Sequence, residues 1–267
     1  EELNSRKLID EYGHDPKAQG LVLLAAIEAF RGFPDRAAAL VTEAASHAET
    51  IDFPFVVGFV DWMAAVTFQW LNDQEKTEKH ARSLLQLAVE KELRLFESTA
   101  LILIGWTDHF SSGVESLAKI ESGFTKYDVS AFFKIFQLNT HIDGLLLLRK
   151  DDRAKETISR ALKMIEQHGC KWTLPEVLRL DAVCGLKENG SDSAKAETLF
   201  LESIELARAQ KSKLWELRSA TSLARLWGEG KERQKAYDLL FPVYDWYTEG
   251  FETFDLKEGK ALLDQLQ

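Results

Sequence analysis

The sequence is short of cysteine, proline and positive charge, and each shortage excludes a class of protein. Lys plus Arg number 33 against 43 Asp plus Glu, so the formal net charge is −10. Proteins that bind nucleic acid cluster positive charge to neutralise phosphates, and polybasic membrane anchors need the same excess. We therefore expect neither a nucleic-acid partner nor a membrane partner. The two cysteines, Cys170 and Cys184, form no CxxC pair and have no histidine at metal spacing.

Long hydrophobic runs are also missing. The longest unbroken apolar runs cover residues 21–27 and 100–104, far below the roughly 20 residues of a membrane-spanning helix. No signal peptide is visible, and two thiols suit a reducing compartment, so we expect a cytoplasmic protein. The chain starts at Glu1 without an initiator Met, and we expect it to be a fragment of a longer protein.

Helical periodicity runs through nearly the whole chain. Apolar residues recur at steps of three and four, for example at Ala196, Leu199 and Phe200 within residues 193–210. Proline is favoured in the first turn of a helix, where its missing N–H costs no hydrogen bond. Four of the five prolines lie where a helix is predicted to begin: Pro16, Pro34, Pro54 and Pro175.

The predicted helices come in pairs with a regular spacing. The second helix of each pair carries a small residue soon after a polar loop: Ala37, Thr77, Val114, Ala154, Ala196 and Ala236. Six units of about 40 residues then cover residues 17–250. The first helices are predicted at 17–31, 55–72, 94–110, 129–149, 174–188 and 213–228. The second helices are predicted at 34–50, 74–92, 113–127, 151–168, 192–210 and 231–248.

This pattern predicts an all-α protein, an α-solenoid of about six hairpins in one repeat domain over residues 1–267. Residues 1–16 would end a preceding repeat, and residues 251–267 would form a C-terminal capping helix with Asp255 as its N-cap. Each hairpin buries its apolar stripe only by stacking on its neighbours. The first helices would line the concave face. A compact helical bundle is the structural alternative.

Three segments carry a resemblance to a known family. They are YGHDP at residues 12–16, ARAQ at 207–210 followed by WELRSATSLARLW at 215–227, and DLL, PVY, TEGF and DLK between residues 238 and 257. Together with the period, they resemble the tetratricopeptide-repeat (TPR) region at the C-terminus of large bacterial signalling ATPases. That family joins such repeats to a class III nucleotide cyclase or to a DNA-binding effector, as in relatives of the maltose-regulon activator.

The resemblance covers essentially the whole chain and is strongest over residues 196–265. It implies a TPR-like fold and a regulatory partner in upstream domains. The third unit departs from the pattern, because Ser111-Ser112-Gly113-Val114 replaces the usual loop, and we expect that hairpin to be distorted.

No motif in the sequence indicates catalysis. There is no P-loop, GxGxxG, GxSxG or HExxH. No two of the six histidines lie three or four residues apart, so no pair shares a helix face as metal ligands. We expect no enzyme activity, cofactor or metal in this segment, although the parent protein is expected to be an ATPase or cyclase.

Positions on the predicted first helices define a candidate binding groove. Counting back from the small residue of each second helix gives Trp62, Gln69, Trp70, Thr99, Trp106, Asn139, Asp143, Arg179, Arg218 and Arg225. Aromatic residues there would anchor a ligand, or would instead fill gaps between hairpins. The arginines would bind a carboxylate or phosphate, or would pair with acids of the chain such as Glu216 and Glu229.

Two functions from different classes remain open. The first is a non-catalytic sensor or scaffold region whose groove binds a protein segment or small effector and regulates the upstream domains. The second is a self-association module, in which the solenoid ends or its outer face build a homo-oligomer. An enzyme using Asn139, Asp143 and Arg179 is the least favoured, because no nucleophile–base pair accompanies them.

Overall fold

The computed structural model of the chain describes residues 9, 13–108, 113–125, 131–187, 192–228 and 232–267. In this part there are thirteen α-helices, one short 3-10 helix at Lys171–Thr173 and no strand. The all-α prediction is therefore confirmed. The helices are α1 (Pro16–Arg31), α2 (Pro34–Ile51), α3 (Pro54–Trp70), α4 (Gln74–Glu90), α5 (Arg94–Asp108), α6 (Gly113–Thr125), α7 (Ala131–Leu147), α8 (Asp151–His168), α9 (Leu174–Leu186), α10 (Ser193–Ala209), α11 (Lys213–Gly228), α12 (Arg233–Asp245) and α13 (Phe254–Leu266).

Prolines mark several helix starts, and residues with left-handed backbone angles mark turns between helices. Helices α1, α2 and α3 each begin at a proline, and Pro175 is the second residue of α9. Each of the four turns between α1 and α5 contains a residue in the left-handed backbone region, which reverses the chain tightly after a helix. Gly32 and Asn72 lie within successive hairpins, and Asp52 and Glu92 lie between them, forty residues apart in each case. This spacing supports the 40-residue period over this stretch.

The two ends of the chain differ in how far the structure describes them. Of the predicted preceding repeat, residues 1–8 and 10–12 lie outside the described residues, and Ile9 is helical. The predicted capping helix is present as α13. The prediction that Asp255 is its N-cap is wrong, because Thr253 occupies that position with extended backbone angles. Asp255 lies inside the first turn, where its side chain makes a different contact described below.

The chain divides into two compact units. Unit 1 comprises residues 1–29 and 34–129, and unit 2 comprises residues 30–33 and 130–267. Within unit 1, α2 to α6 pack in chain order, and α3 also packs on α5. Within unit 2, α7 to α13 pack in chain order, and α7, α9, α11 and α13 also pack successively on one another. Neighbouring helices packed in order are what an α-solenoid requires. The single repeat domain over residues 1–267 stays a prediction.

The small residues predicted on the second helices are buried wherever the structure describes their side chains. The side chain of Val114 lies outside the described residues. The other five predicted small residues are all buried: Ala37, Thr77, Ala154, Ala196 and Ala236. Ala37 packs with Ala25, Ala29 and Phe68 in unit 1. On α2, the short side chain of Ala37 therefore lies where the first helices α1 and α3 approach it.

The closest helix contact lies between α5 and α6. A Cβ atom added at Gly105 would lie 2.8 Å from the carbonyl oxygen of Ser116, and one added at Gly123 would lie 2.6 Å from that of Ser98. The two serines bond across the same contact, since Ser98 Oγ donates to Gly123 O and Ser116 Oγ donates to Gly105 O. These two helices form the third hairpin, for which we predicted a distortion, and its loop residues 109–112 lie outside the described residues.

We predict that Gly105→Ala destabilises the protein by about 1–3 kcal/mol, because the new methyl group meets backbone atoms that cannot move aside. Gly185→Ala is the matched control. Gly185 also lies in a helix, but an added Cβ there meets no described atom within 4 Å, so the change should stabilise by about 0.5–1 kcal/mol. Urea unfolding followed by circular dichroism measures both. Equal effects of the two substitutions would contradict the close contact.

Candidate functional site on the first helices

The ten groove candidates are divided between the two units. Trp62, Gln69 and Trp70 lie on α3, and Thr99 and Trp106 lie on α5, all in unit 1. The other five lie on three first helices of unit 2: Asn139, Asp143, Arg179, Arg218 and Arg225.

The unit 1 candidates are part of the hydrophobic core. Trp62, Trp70 and Trp106 are each at most 4 % exposed, and Gln69 and Thr99 are buried as well. The Trp62 ring packs edge-on against Phe59 at 5.6 Å between ring centroids. This burial is what the alternative interpretation requires, in which aromatic rings fill the space between hairpins. Little indole surface is left for a ligand to contact.

The unit 2 candidates include two arginines joined by one carboxylate. Arg179 Nε donates to Glu176 Oε2 at 2.7 Å, and its Nη2 donates to Glu176 Oε1 at 2.8 Å. Arg218 Nη1 donates to Glu176 Oε1 at 3.1 Å. The opposite side of the Arg218 guanidinium, through Nε and Nη2, donates to Asp255 Oδ2 at 3.0 Å. We call Glu176, Arg179, Arg218 and Asp255 the arginine cluster.

In the arginine cluster, burial and charge pairing shift the pKa values in opposite directions, and the effect of pairing is larger. Burial would raise the pKa of Glu176, but the two guanidinium groups hold that pKa below its usual value. Burial would lower the pKa of Arg218, which Asp255 and Glu176 instead raise. The pKa of Arg179 is also raised, because Glu176 outweighs its burial. All three groups are therefore charged at neutral pH, and each depends on the others for compensation.

Asp143 extends this electrostatic group to a third first helix. Its carboxylate contributes to raising the pKa of both Arg179 and Arg218. Asp143 of α7 thus acts electrostatically on Arg179 of α9 and Arg218 of α11. One turn before Asp143, Asn139 is buried, and its Oδ1 has no hydrogen-bond partner in the described part of the chain.

Arg225 lies further along α11 and is more exposed. Its Nη2 donates to Glu258 Oε2 of α13 at 2.7 Å, with 48 % of the Arg225 side chain open to solvent. All three predicted arginines therefore pair with acids of this chain, although the partners differ from those proposed. Glu216 pairs with Arg208 and Lys213 instead, and Glu229 lies outside the described residues.

Two members of the arginine cluster were missed by the sequence reasoning. Glu176 lies three residues before Arg179, a helical spacing at which opposite charges meet, so this signal was available. Asp255 was assigned to a cap from its place at a helix start. Its pairing with Arg218 joins residues 37 positions apart, which local spacing cannot indicate.

Neither a metal-binding group nor a membrane-spanning helix is found among the described residues. In those stretches, no group of three or more His, Cys, Asp or Glu side chains is placed to hold a metal ion. Among the helices described above, none is both long enough and apolar enough to cross a membrane.

We predict that Glu176→Gln destabilises unit 2 by about 3–5 kcal/mol, because it leaves two largely buried guanidinium groups short of negative charge. The matched control is Glu258→Gln, which breaks the exposed pair with Arg225 and should cost less than about 1 kcal/mol. Urea unfolding at neutral pH compares the two variants. Similar losses would show that the arginine cluster is no more important than a surface ion pair.

We also predict that His141 makes the free energy of unfolding depend on pH. This side chain is buried on α7. Burial, followed by the charges of Arg160 and Arg153, lowers the pKa of His141 from 6.5 to about 3. The unfolded chain binds a proton below about pH 6.5 and the folded chain does not. The free energy of unfolding therefore falls with decreasing pH through this window, by at most about 1.4 kcal/mol per pH unit from this group.

The measurement compares urea unfolding at pH 7 and pH 5 for the native chain and for His141→Gln. The variant should lose less stability on acidification than the native chain does. His168→Gln, which changes an exposed histidine at the end of α8, is the control and should keep the native pH dependence. An unchanged dependence in His141→Gln would contradict the prediction.

No protein-family model matches this chain, and no curated protein matches it either.

Proposed function

We propose that this chain is a non-catalytic helical-repeat region of the TPR type, about six hairpins long, within a larger cytoplasmic bacterial signalling protein. It acts as a sensor or scaffold whose first-helix face binds a partner. Binding biases the activity of upstream domains, an ATPase with a nucleotide cyclase or a DNA-binding effector. The motifs quoted above and the in-order packing of helices support this proposal.

The main support is the meeting of Asp143, Arg179 and Arg218 from three successive first helices. Repeat proteins bind partners on the extended surface that such helices form together. Here that surface carries charges of both signs, and α7, α9 and α11 pack side by side to hold them in place. The first helices of unit 2 therefore carry paired charges of both signs, with Arg225 at the exposed edge.

Because these charges are already paired with one another, we favour a protein segment over a small anionic effector as the ligand. A free carboxylate or phosphate would have to displace Glu176 or Asp255 from buried ion pairs, and breaking a buried pair is costly. A protein segment can instead lie across the paired face and contact its exposed edge, Arg225 and Glu258. Charge complementarity at such an edge selects partners and orients them.

The test uses the full-length protein that carries these residues and measures the activity of its attached domains with and without the natural stimulus. We expect Arg225→Ala combined with Asp143→Ala to reduce the response to the stimulus several-fold and to leave basal activity unchanged. The matched control is Arg82→Ala, which removes an exposed arginine from second helix α4. An unchanged response, with native helical content by circular dichroism, would overturn the proposal.

Self-association is the second candidate, and exposed aromatic rings near the C-terminus favour it. Phe241, Phe251 and Phe254 are all exposed, and Phe241 stacks on Tyr237 at 5.4 Å between ring centroids. Exposed apolar patches often mark protein–protein contacts. Light scattering over a range of concentrations separates the two candidates, because a monomer at every concentration excludes self-association.

A further inference from the structure

The outward faces of α10 and α12 carry exposed apolar side chains at equivalent positions. Leu201 and Phe241 are 40 % and 42 % exposed, and each lies five residues after the small residue of its helix. The corresponding positions of the other four second helices are polar or charged: Thr42, Arg82, Lys119 and Ser159. The repeat itself therefore does not require an apolar residue at this position.

The two helices lie side by side. Near their starts, Lys235 Nζ of α12 pairs with Glu197 Oε1 of α10 at 3.3 Å, and α11 packs against both helices. The paired residues adjoin the small residues of their helices, so equivalent positions lie at about the same level. Leu201 and Phe241 therefore belong to one outward surface.

Acidic side chains accompany these two apolar residues, without basic neighbours. Four exposed acids lie within four residues of them: Glu202, Glu205, Asp238 and Asp245. No lysine or arginine occurs at residues 196–207 or 236–245. In the described part of the chain, none of the four carboxylates forms an ion pair. The surface is therefore negatively charged around its apolar centre.

Pro242 adds a backbone acceptor to the same surface. It lies inside α12 and is exposed. Because proline has no N–H, the carbonyl oxygen of Asp238 lacks its usual helical donor. Proline is also the least favourable residue in a helix interior, and an exposed ring recovers little of that cost by burial. The Asp238 carbonyl is thus available to a donor from outside the chain, such as a lysine or arginine side chain.

These features favour a basic partner over a second copy of this chain. Two copies that met through this surface would bring their acidic side chains together, and like charges across an interface are costly. Lysine and arginine side chains would instead meet carboxylates and, at Phe241, an aromatic ring whose face attracts cations. The Phe241 ring is already held in place by stacking on Tyr237 at 5.4 Å between ring centroids.

We propose that the outward surface of α10 and α12 binds a basic amphipathic helix of another protein. Apolar side chains of that helix pack on Leu201 and Phe241, and its lysine or arginine side chains pair with the four carboxylates. A helix can align one apolar stripe with both exposed side chains. The site lies on second helices, so it is separate from the first-helix face and does not depend on the function proposed above.

The binding experiment uses a fluorescein-labelled, amidated peptide of three Leu-Arg-Ala-Leu-Arg-Ala-Ala repeats with the complete 267-residue chain. Fluorescence anisotropy should show saturable binding. Replacing the leucines of the peptide by glutamine keeps its helix propensity and should weaken binding by about tenfold or more, because the apolar contacts are lost. Absence of saturable binding, or equal binding of the glutamine peptide, would overturn the proposal.

Two double variants locate the site. Leu201→Gln with Phe241→Gln removes the apolar contacts, and Glu205→Lys with Asp245→Lys reverses two of the charges. Each should weaken binding by about tenfold or more. All four positions are exposed, so both variants should keep the native circular dichroism spectrum. Native affinity in either folded variant would contradict the site.

The matched control is Glu156→Lys with Glu166→Lys on α8, where exposed Arg160 and Lys163 lie between the two acids. It changes the net charge as much as the charge-reversal variant does, but it should keep the affinity within about twofold of native, because distant exposed charges are screened. An equal loss in this control would show that the peptide responds only to net charge, and would overturn the proposal.

Light scattering of the native chain and of Phe241→Gln distinguishes the partner from a second copy. We expect the substitution to leave the molecular mass unchanged at every concentration. Self-association that Phe241→Gln abolishes, together with no binding of the basic peptide, would assign the surface to a second copy of the chain.

Discussion

Close approach between neighbouring helices is the constraint on which the rest of this structure depends. A single hairpin exposes an apolar stripe that only the next helix in the chain can cover. The structure meets this constraint with short side chains at the contact points, alanines on the second helices and glycines between α5 and α6. Once backbones approach this closely, the large aromatic rings of unit 1 lie between helices and become core.

In unit 2, neighbouring helices contact one another through ion pairs as well as through apolar side chains. Arg218 of α11 contacts Glu176 of α9 on one side and Asp255 of α13 on the other. The C-terminal helix is therefore joined directly to α11, and through Arg218 to α9, by largely buried ion pairs in addition to its leucines. An arrangement of this kind stabilises one relative placement of the helices, because each charge is compensated only when all are in position. The same charges form the face that we propose as the partner-binding surface.

Periodicity predicted the helices well and predicted the candidate site only in part. Helix starts at Pro16, Pro34 and Pro54 were predicted because proline acts through its own backbone geometry. The groove register placed Asp143, Arg179 and Arg218 on successive first helices of unit 2, and their role as a binding groove stays a prediction. It could not tell an exposed tryptophan from a buried one. Trp62 and Trp106 occupy the predicted positions, yet neighbouring helices cover them.

The sequence by itself determined what depends on neighbours along the chain: the helical class, the helix boundaries, the 40-residue spacing of turns and the excess of negative charge. The tertiary structure alone decided what depends on distant residues. It paired Arg218 with Asp255, buried the aromatic candidates and placed the exposed Leu201 and Phe241 on neighbouring helices. The reason is physical, since backbone geometry and capping act within a few residues, whereas burial and ion pairing depend on which helix faces meet.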